Sequence, residues 1–266
     1  MKGIDAEETQ QIHTLWDELA AFGASETDQA LIHVLKGLCS LICAQDAYWM
    51  GTLRVQDKAF SDSAMCWKPR HVVRLSDGFE QDMARTESPK RIDSKDADAC
   101  LLSHPGEAGR FGISVQDERL DSACSESELC ESSDPLTDTG EVIFVCTPVT
   151  QDAESWFAFE RLDAKKPRFS QREKLLLEHA VRPMKWFHRQ LALHHGSIVA
   201  SEPLTSSERK VLSGLLTAKT ESQIADHLNL SKSTVHTYCV RICRKFGVRG
   251  RTGLTALWLE GTGVTE

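Results

Sequence analysis

The sequence predicts an α+β amino-terminal domain, a mostly antiparallel sheet flanked by helices, followed by a small all-α domain of four helices. Three observations carry that expectation. Apolar residues recur at helical spacing near the start, most clearly Leu31, Val34, Leu35, Leu38, Leu41 and Ile42. Two runs rich in aromatic and β-branched residues, 142–149 and 155–162, flank a polar turn at Thr150–Glu154 and read as adjacent strands. The end of the chain then changes character. Residues 201–266 hold nine Lys and Arg against six Asp and Glu, a local +3 in a chain of net charge -8.

Each element follows from local pattern. Residues 7–22 and 28–43 are expected helices, 47–55 a strand, and 59–67 and 71–75 weaker strands. A short helix is expected after Ser76. The stretch 88–138 is acidic and loop-rich, with a strand at 111–115 and a helix near 118–131. A long helix over 170–195 opens on a Ser170/Glu173 capping box and should bend at Pro183, which cannot donate its backbone bond. His194-His195-Gly196-Ser197, followed by Ala200-Ser201-Glu202-Pro203, reads as the boundary, giving domains 1–197 and 198–266.

Composition narrows the function classes. With 266 residues, 41% hydrophobic and 26% charged, the chain is too apolar for general disorder. No apolar run approaches the roughly 18 residues of a membrane span, and the start MKGIDAEETQQ lacks the apolar core of a signal peptide. A cytoplasmic protein without membrane contact is expected. Nine cysteines fit free, packed thiols better than a disulfide framework; Cys39/Cys43 and Cys239/Cys243 lie four apart in apolar helices. Those pairs lack a second half for zinc, so no metal is expected, and Cys124 and Cys130 are the better redox candidates. No glycine fingerprint for dinucleotides, P-loop, HExxH or GxSxG occurs. Catalytic residues, a cofactor and an enzyme activity are therefore not expected.

The last segment carries the specific pattern. Thr205/Glu208 and Thr220/Gln223 are capping boxes, Ser231 caps a third helix, Gly247 ends it, and a fourth spans roughly 252–259. A short turn at Asn229-Leu230 joining two short helices is helix-turn-helix geometry. On the third helix Val235, Cys239, Ile242 and Phe246 recur at intervals of four, three and four, which makes a core stripe. His236 and Thr237 are then placed to meet base edges in a major groove. Lys232, Ser233, Thr234, Arg241, Arg244 and Lys245 are expected at backbone phosphates.

This segment resembles the LuxR-type helix-turn-helix family. The match rests on Leu204, Thr205, Glu208, Val211, Leu212, Ile224, Ala225, Leu228, Ser231, Thr234, Val235, Ile242, Lys245, Gly247, Val248 and Arg251. The resemblance implies a DNA-binding transcriptional regulator acting on double-stranded DNA, usually as a homodimer. Trp186, Phe187, Leu254, Leu257 and Trp258 are the candidate dimer contacts. Three positions depart from the family: His236 for the usual Lys, Tyr238 for a frequent His, and Lys219 for Gly. The last is expected to strain a left-handed backbone by about 1 kcal/mol. The amino-terminal part resembles GAF/PAS-like sensory folds, through its final strand pair, the link after it and the terminal helix. A small-molecule effector, a protein or dimer contact without ligand, and an acyl-homoserine lactone remain open as what it senses, with Tyr48, Trp49 and Trp67 as the candidate pocket. A protein-interaction module with a degenerate helix-turn-helix is the reading from another class.

Overall fold

Asp5 starts the first helix by accepting the Glu8 backbone N–H, while the Glu8 carboxylate returns to the Asp5 N–H. This computed structural model describes residues 3–56, 65–76, 109–115, 141–161, 167–198 and 203–259. Helix α1 (Ala6–Ala20) buries Ile12, Leu15 and Leu19 against α2 (Thr27–Ile42). The two helices approach closely at Gly37, where a Cβ would lie 2.6 Å from Leu15 Cδ1. Five of the six stripe residues of α2 are buried; Leu41 is half-buried. Cys43 closes α2 at φ 54°, a left-handed cap more often given to glycine.

The sheet contains β1 (Asp46–Gln56), β2 (Met65–Arg74), β3 (Gly112–Val115), β4 (Val142–Pro148) and β5 (Ala153–Glu160). Its order is β2-β1-β5-β4-β3, and every neighbouring pair is antiparallel. The α+β expectation holds, with one correction. The described parts of the two weak strand candidates, 59–67 and 71–75, are one strand through Pro69. The register slips opposite Gly51/Thr52, and β2 lies at the sheet edge, where a missing N–H is tolerated. The helices expected after Ser76 and near 118–131, with Cys124 and Cys130, lie outside the described residues.

The sheet's two faces differ. Trp49, Ile143, Val145, Phe157 and Phe159 pack toward the helices in one large core. Met50, Phe144, Cys146, Trp156 and Ala158 form a second cluster, joined by Tyr48, Val72 and Val142; its described members are all strand residues. A polar ladder runs through the first face. Trp49 Nε1 donates to Ser155 Oγ at 2.7 Å, and Ser155 meets His188 Nδ1 at 2.7 Å. Burial pushes the His188 imidazole down to about 3, so it works as a neutral hydrogen-bonding group.

Beyond the sheet, Ser170 and Glu173 form the expected capping box of α3 (Gln171–Val181). Pro183 sits in a 3₁₀ turn, Arg182–Met184, which divides the long helix from α4 (Lys185–His194). Trp16 Nε1 donates to Ala180 O at 2.9 Å, and Arg172 pairs with Asp5 and Glu8, so α1 is tied to α3.

Four helices follow: α5 (Ser206–Leu215), α6 (Glu221–Leu228), α7 (Lys232–Lys245) and α8 (Gly250–Leu259). Their core contains Val211, Leu212, Ile224, Val235, Ile242, Phe246 and Leu254, together with Leu193 from α4. The two cores therefore meet across α4. Among the described residues, no helix is long and apolar enough to cross a membrane.

Candidate nucleic-acid interface

Local chemistry sets the geometry of α6 and α7. Thr220 accepts the Gln223 N–H at 3.3 Å to start α6, and Asn229 ends it at φ 53°. Ser231 then starts α7 by accepting the Thr234 N–H at 3.1 Å. Gly214 allows α5 to meet α6, since a Cβ there would stand 2.9 Å from Ile224 Cγ1.

Val235, Cys239, Ile242 and Phe246 all face the core, as their spacing predicts. That rotation leaves Lys232, Ser233, His236, Thr237, Arg241 and Arg244 exposed, with Thr234 half-buried. A shallow depression of about 300 Å³, lined by Ser233, Thr234, Thr237, Tyr238 and Arg241, runs along this face. His236 Nδ1 lies 3.2 Å from Glu221 Oε2 with its side chain 65% exposed, and Thr237 Oγ1 donates to Ser233 O at 2.9 Å. Three exposed cations with the short side chains of Ser233 and Thr237 among them suit a polyanion with readable edges.

Lys245 departs from its expected role. Its Nζ donates to Glu208 Oε2 at 2.8 Å and to Pro203 O at 3.0 Å, with the side chain 14% exposed. It anchors α7 to the start of α5 rather than facing outward with Arg241. Burial raises the Glu208 pKa, but Lys245 and the Thr205 N–H outweigh it and hold the carboxyl below its ordinary value. The depressed folded-state pKa makes this contribution present above the ordinary carboxylate range and lost as pH falls through the folded value. Lys245→Ala is expected to cost about 2 kcal/mol of stability while leaving the salt slope of DNA binding unchanged. Denaturant melts and salt-dependent titrations check both; a slope reduced by about one would restore Lys245 to the phosphates.

Lys219 is not strained either: the positive-φ non-glycine residues described are Cys43 and Asn229. Its carbonyl instead accepts from Arg251, a residue whose part was not foreseen. Arg251 Nε donates to Leu215 O at 2.8 Å and Nη1 to Lys219 O at 2.6 Å, while Nη2 reaches Thr217 O. One guanidinium thereby fills the carbonyls at the α5–α6 corner.

Other expected positions divide. Tyr48 and Trp49 do not share a pocket, because neighbours on a strand point to opposite faces. Trp49 is fully buried under the helices, whereas Tyr48 joins the second-face cluster beside Phe144, rings 6.5 Å apart. The Trp67 side chain lies outside the described residues. Trp156, missed from sequence, is on the Tyr48 face, its Nε1 donating to Thr52 Oγ1 at 3.1 Å. Of the dimer candidates, Trp186 is 45% exposed, but Phe187 and Leu254 are each 1% exposed and belong to the two cores. Leu257 and Trp258 are half-buried; Trp258 packs on Phe246, and Leu257 O accepts from Arg189 Nη2 at 3.2 Å.

A polar cluster lies where the two units meet. Asp28 approaches His194 Nε2 at 3.2 Å and His195 Nε2 at 3.3 Å, and His71 stacks 4.4 Å from the His195 ring. Burial lowers His195 to about 3, keeping the imidazole neutral. Asp28 also lines a groove of about 420 Å³ with Arg209, Lys210 and Ser213 of α5. These three residues, Asp28, His194 and His195, are the described group able to hold a metal ion. The adjacent histidines were visible in sequence as linker residues; nothing local pointed to Asp28.

Residues 202–258 match the family described as "Bacterial regulatory proteins, luxR family". The carboxy-terminal unit is thus a LuxR-type helix-turn-helix domain, of a family of regulatory proteins rather than enzymes. No curated relative matches the chain. Two solved structures are similar in outline. One, "SdiA in complex with octanoyl-rac-glycerol", is 13% identical with a TM-score of 0.40, covering 99% of this chain and 98% of that one. The other, Escherichia coli SdiA, is 13% identical with a TM-score of 0.42, covering 97% of this chain and 99% of that one.

Proposed function

We propose, with the LuxR-type helix-turn-helix domain as premise, that the chain is a DNA-binding transcriptional regulator controlled by its amino-terminal α+β domain. The observation that supports this reading most is the exposed face of α7. Lys232, Arg241 and Arg244 hold phosphates, while His236 and Thr237 reach base edges in the major groove. One short recognition helix spans few base pairs, so two copies bind, with Trp186 on α4 as a contact between them.

The second face of the sheet favours a small apolar effector, an acyl-homoserine lactone among them, over a domain that only contacts protein. Tyr48, Met50, Phe144 and Trp156 cluster there, with the Trp156 indole N–H bonded to the buried Thr52 hydroxyl.

Duplex binding across a salt series tests the first reading, using fragments selected from random DNA. A steep salt slope with a sequence-specific margin is expected. Equal affinity for all duplexes, or none, would favour the protein-interaction reading. For the effector, titration with acyl-homoserine lactones of graded chain length is expected to raise the melting temperature and alter tryptophan fluorescence, with both responses reduced in Trp156→Phe. A wild-type protein indifferent to every chain length would count against the lactone.

A further inference from the structure

At the end of α4, two consecutive histidines and a carboxylate from α2 converge, and we infer a divalent transition-metal site formed by His194 Nε2, His195 Nε2 and the Asp28 carboxylate. Consecutive residues inside an α-helix point about 100° apart and do not share a ligand. Here the helix ends between them. His195 is the cap residue, at φ -88° and ψ -3°, and both rings reach the same side chain of α2.

The spacing fits coordination. Ligands about 2.0–2.1 Å from a tetrahedral zinc stand about 3.3–3.4 Å from one another. The two nitrogen–oxygen distances are 3.2 and 3.3 Å, and the candidate ligand atoms all lie within 4.8 Å of one another. Direction supports the same reading. Despite those distances, neither Nε2 makes an angularly acceptable hydrogen bond to Asp28, and both imidazoles are 0% exposed. Rings aimed at the carboxylate would donate to it; these are offset from it, as ligands of a shared ion are. A buried polar atom without a partner is costly, and a shared cation would satisfy both nitrogens.

Donor chemistry limits the ion. Two imidazoles and one carboxylate suit zinc, cobalt or nickel, whereas magnesium and calcium prefer all-oxygen shells. Of the three residues Asp28 alone lines the groove between the units, so an ion would enter past the carboxylate. Leu204 N–H donates to His195 O at 3.3 Å, which ties the start of the carboxy-terminal unit to the same cap residue. The site stands independently of the DNA-reading face.

Cobalt(II) titration of the chelator-treated, full-length protein is the test. Uptake of about one equivalent with the visible absorption of a four-coordinate nitrogen–oxygen site is expected. The cobalt-loaded wild type should show hyperfine-shifted imidazole N–H protons from two histidines. His194→Gln and His195→Gln should abolish that uptake, and Asp28→Asn should weaken it more than tenfold, with far-ultraviolet circular dichroism unchanged. Absence of stoichiometric uptake, a thiolate-to-cobalt spectrum without shifted imidazole protons, or binding undiminished in both histidine variants would overturn the site. Should a variant fail to fold, the shifted protons of the wild type decide.

Discussion

Replacing Arg251 by Ala is expected to destabilise the helix-turn-helix domain by about 3–4 kcal/mol, because charged hydrogen bonds contribute about 1.5–3 kcal/mol each and orphaned carbonyls add a penalty. The guanidinium serves Leu215, Thr217 and Lys219, three carbonyls that no helical bond fills. Water recovers part of the loss at so open a corner, which keeps the total below the sum of separate bonds. For a domain of this size the melting temperature should fall by roughly 15–25 °C. Arg251→Lys should recover a minor part, since an ammonium cannot span three acceptors in one plane. Calorimetry of the full-length protein reads this directly, and a change below about 1 kcal/mol would show that the corner holds without its arginine.

The second large effect belongs to DNA binding. Substituting Lys232, Arg241 and Arg244 together by Ala should weaken duplex binding about 500-fold at 0.1 M salt, since each neutralised phosphate contributes about 0.9 to the logarithmic salt slope. The slope itself should fall by about 2.7. Stability should scarcely change, because the three side chains are exposed and alanine favours a helix. Specific and unrelated duplexes should suffer alike, as phosphate contacts carry no sequence information. A loss confined to the selected operator would reassign these residues to base reading.

What could be read from sequence was local. The pairs Thr205/Glu208, Thr220/Gln223 and Ser170/Glu173 lie three residues apart, so one turn of chain decides each helix start. The stripe through Val235, Cys239, Ile242 and Phe246 likewise fixed which face of α7 is exposed. Long-range partners were invisible. Lys245 looks like any basic residue at a helix end until Glu208, 37 positions away, is set beside it. Arg251 finds Lys219 across 32 positions. Phe187 and Trp186 are adjacent aromatics on α4, and only docking against the sheet and α2 decides which is buried. Tyr48 and Trp49 are another matter. Strand alternation already separates them, but aromatic crowding in the sequence drew them together.

The tie between α1 and α3 bears on how the chain emerges from the ribosome. Trp16 waits for Ala180, 164 residues later, so α1 can be made early yet has no seat until most of the chain is translated. Until then its apolar stripe, Ile12, Leu15 and Leu19, has only α2 to lean on. The DNA-binding unit, built almost wholly from contacts among residues that follow, condenses soon afterwards. Synthesis thus compresses the maturation of sensor and reader into its final third, and chaperones meet a nascent chain whose first helix waits through most of translation for its seat.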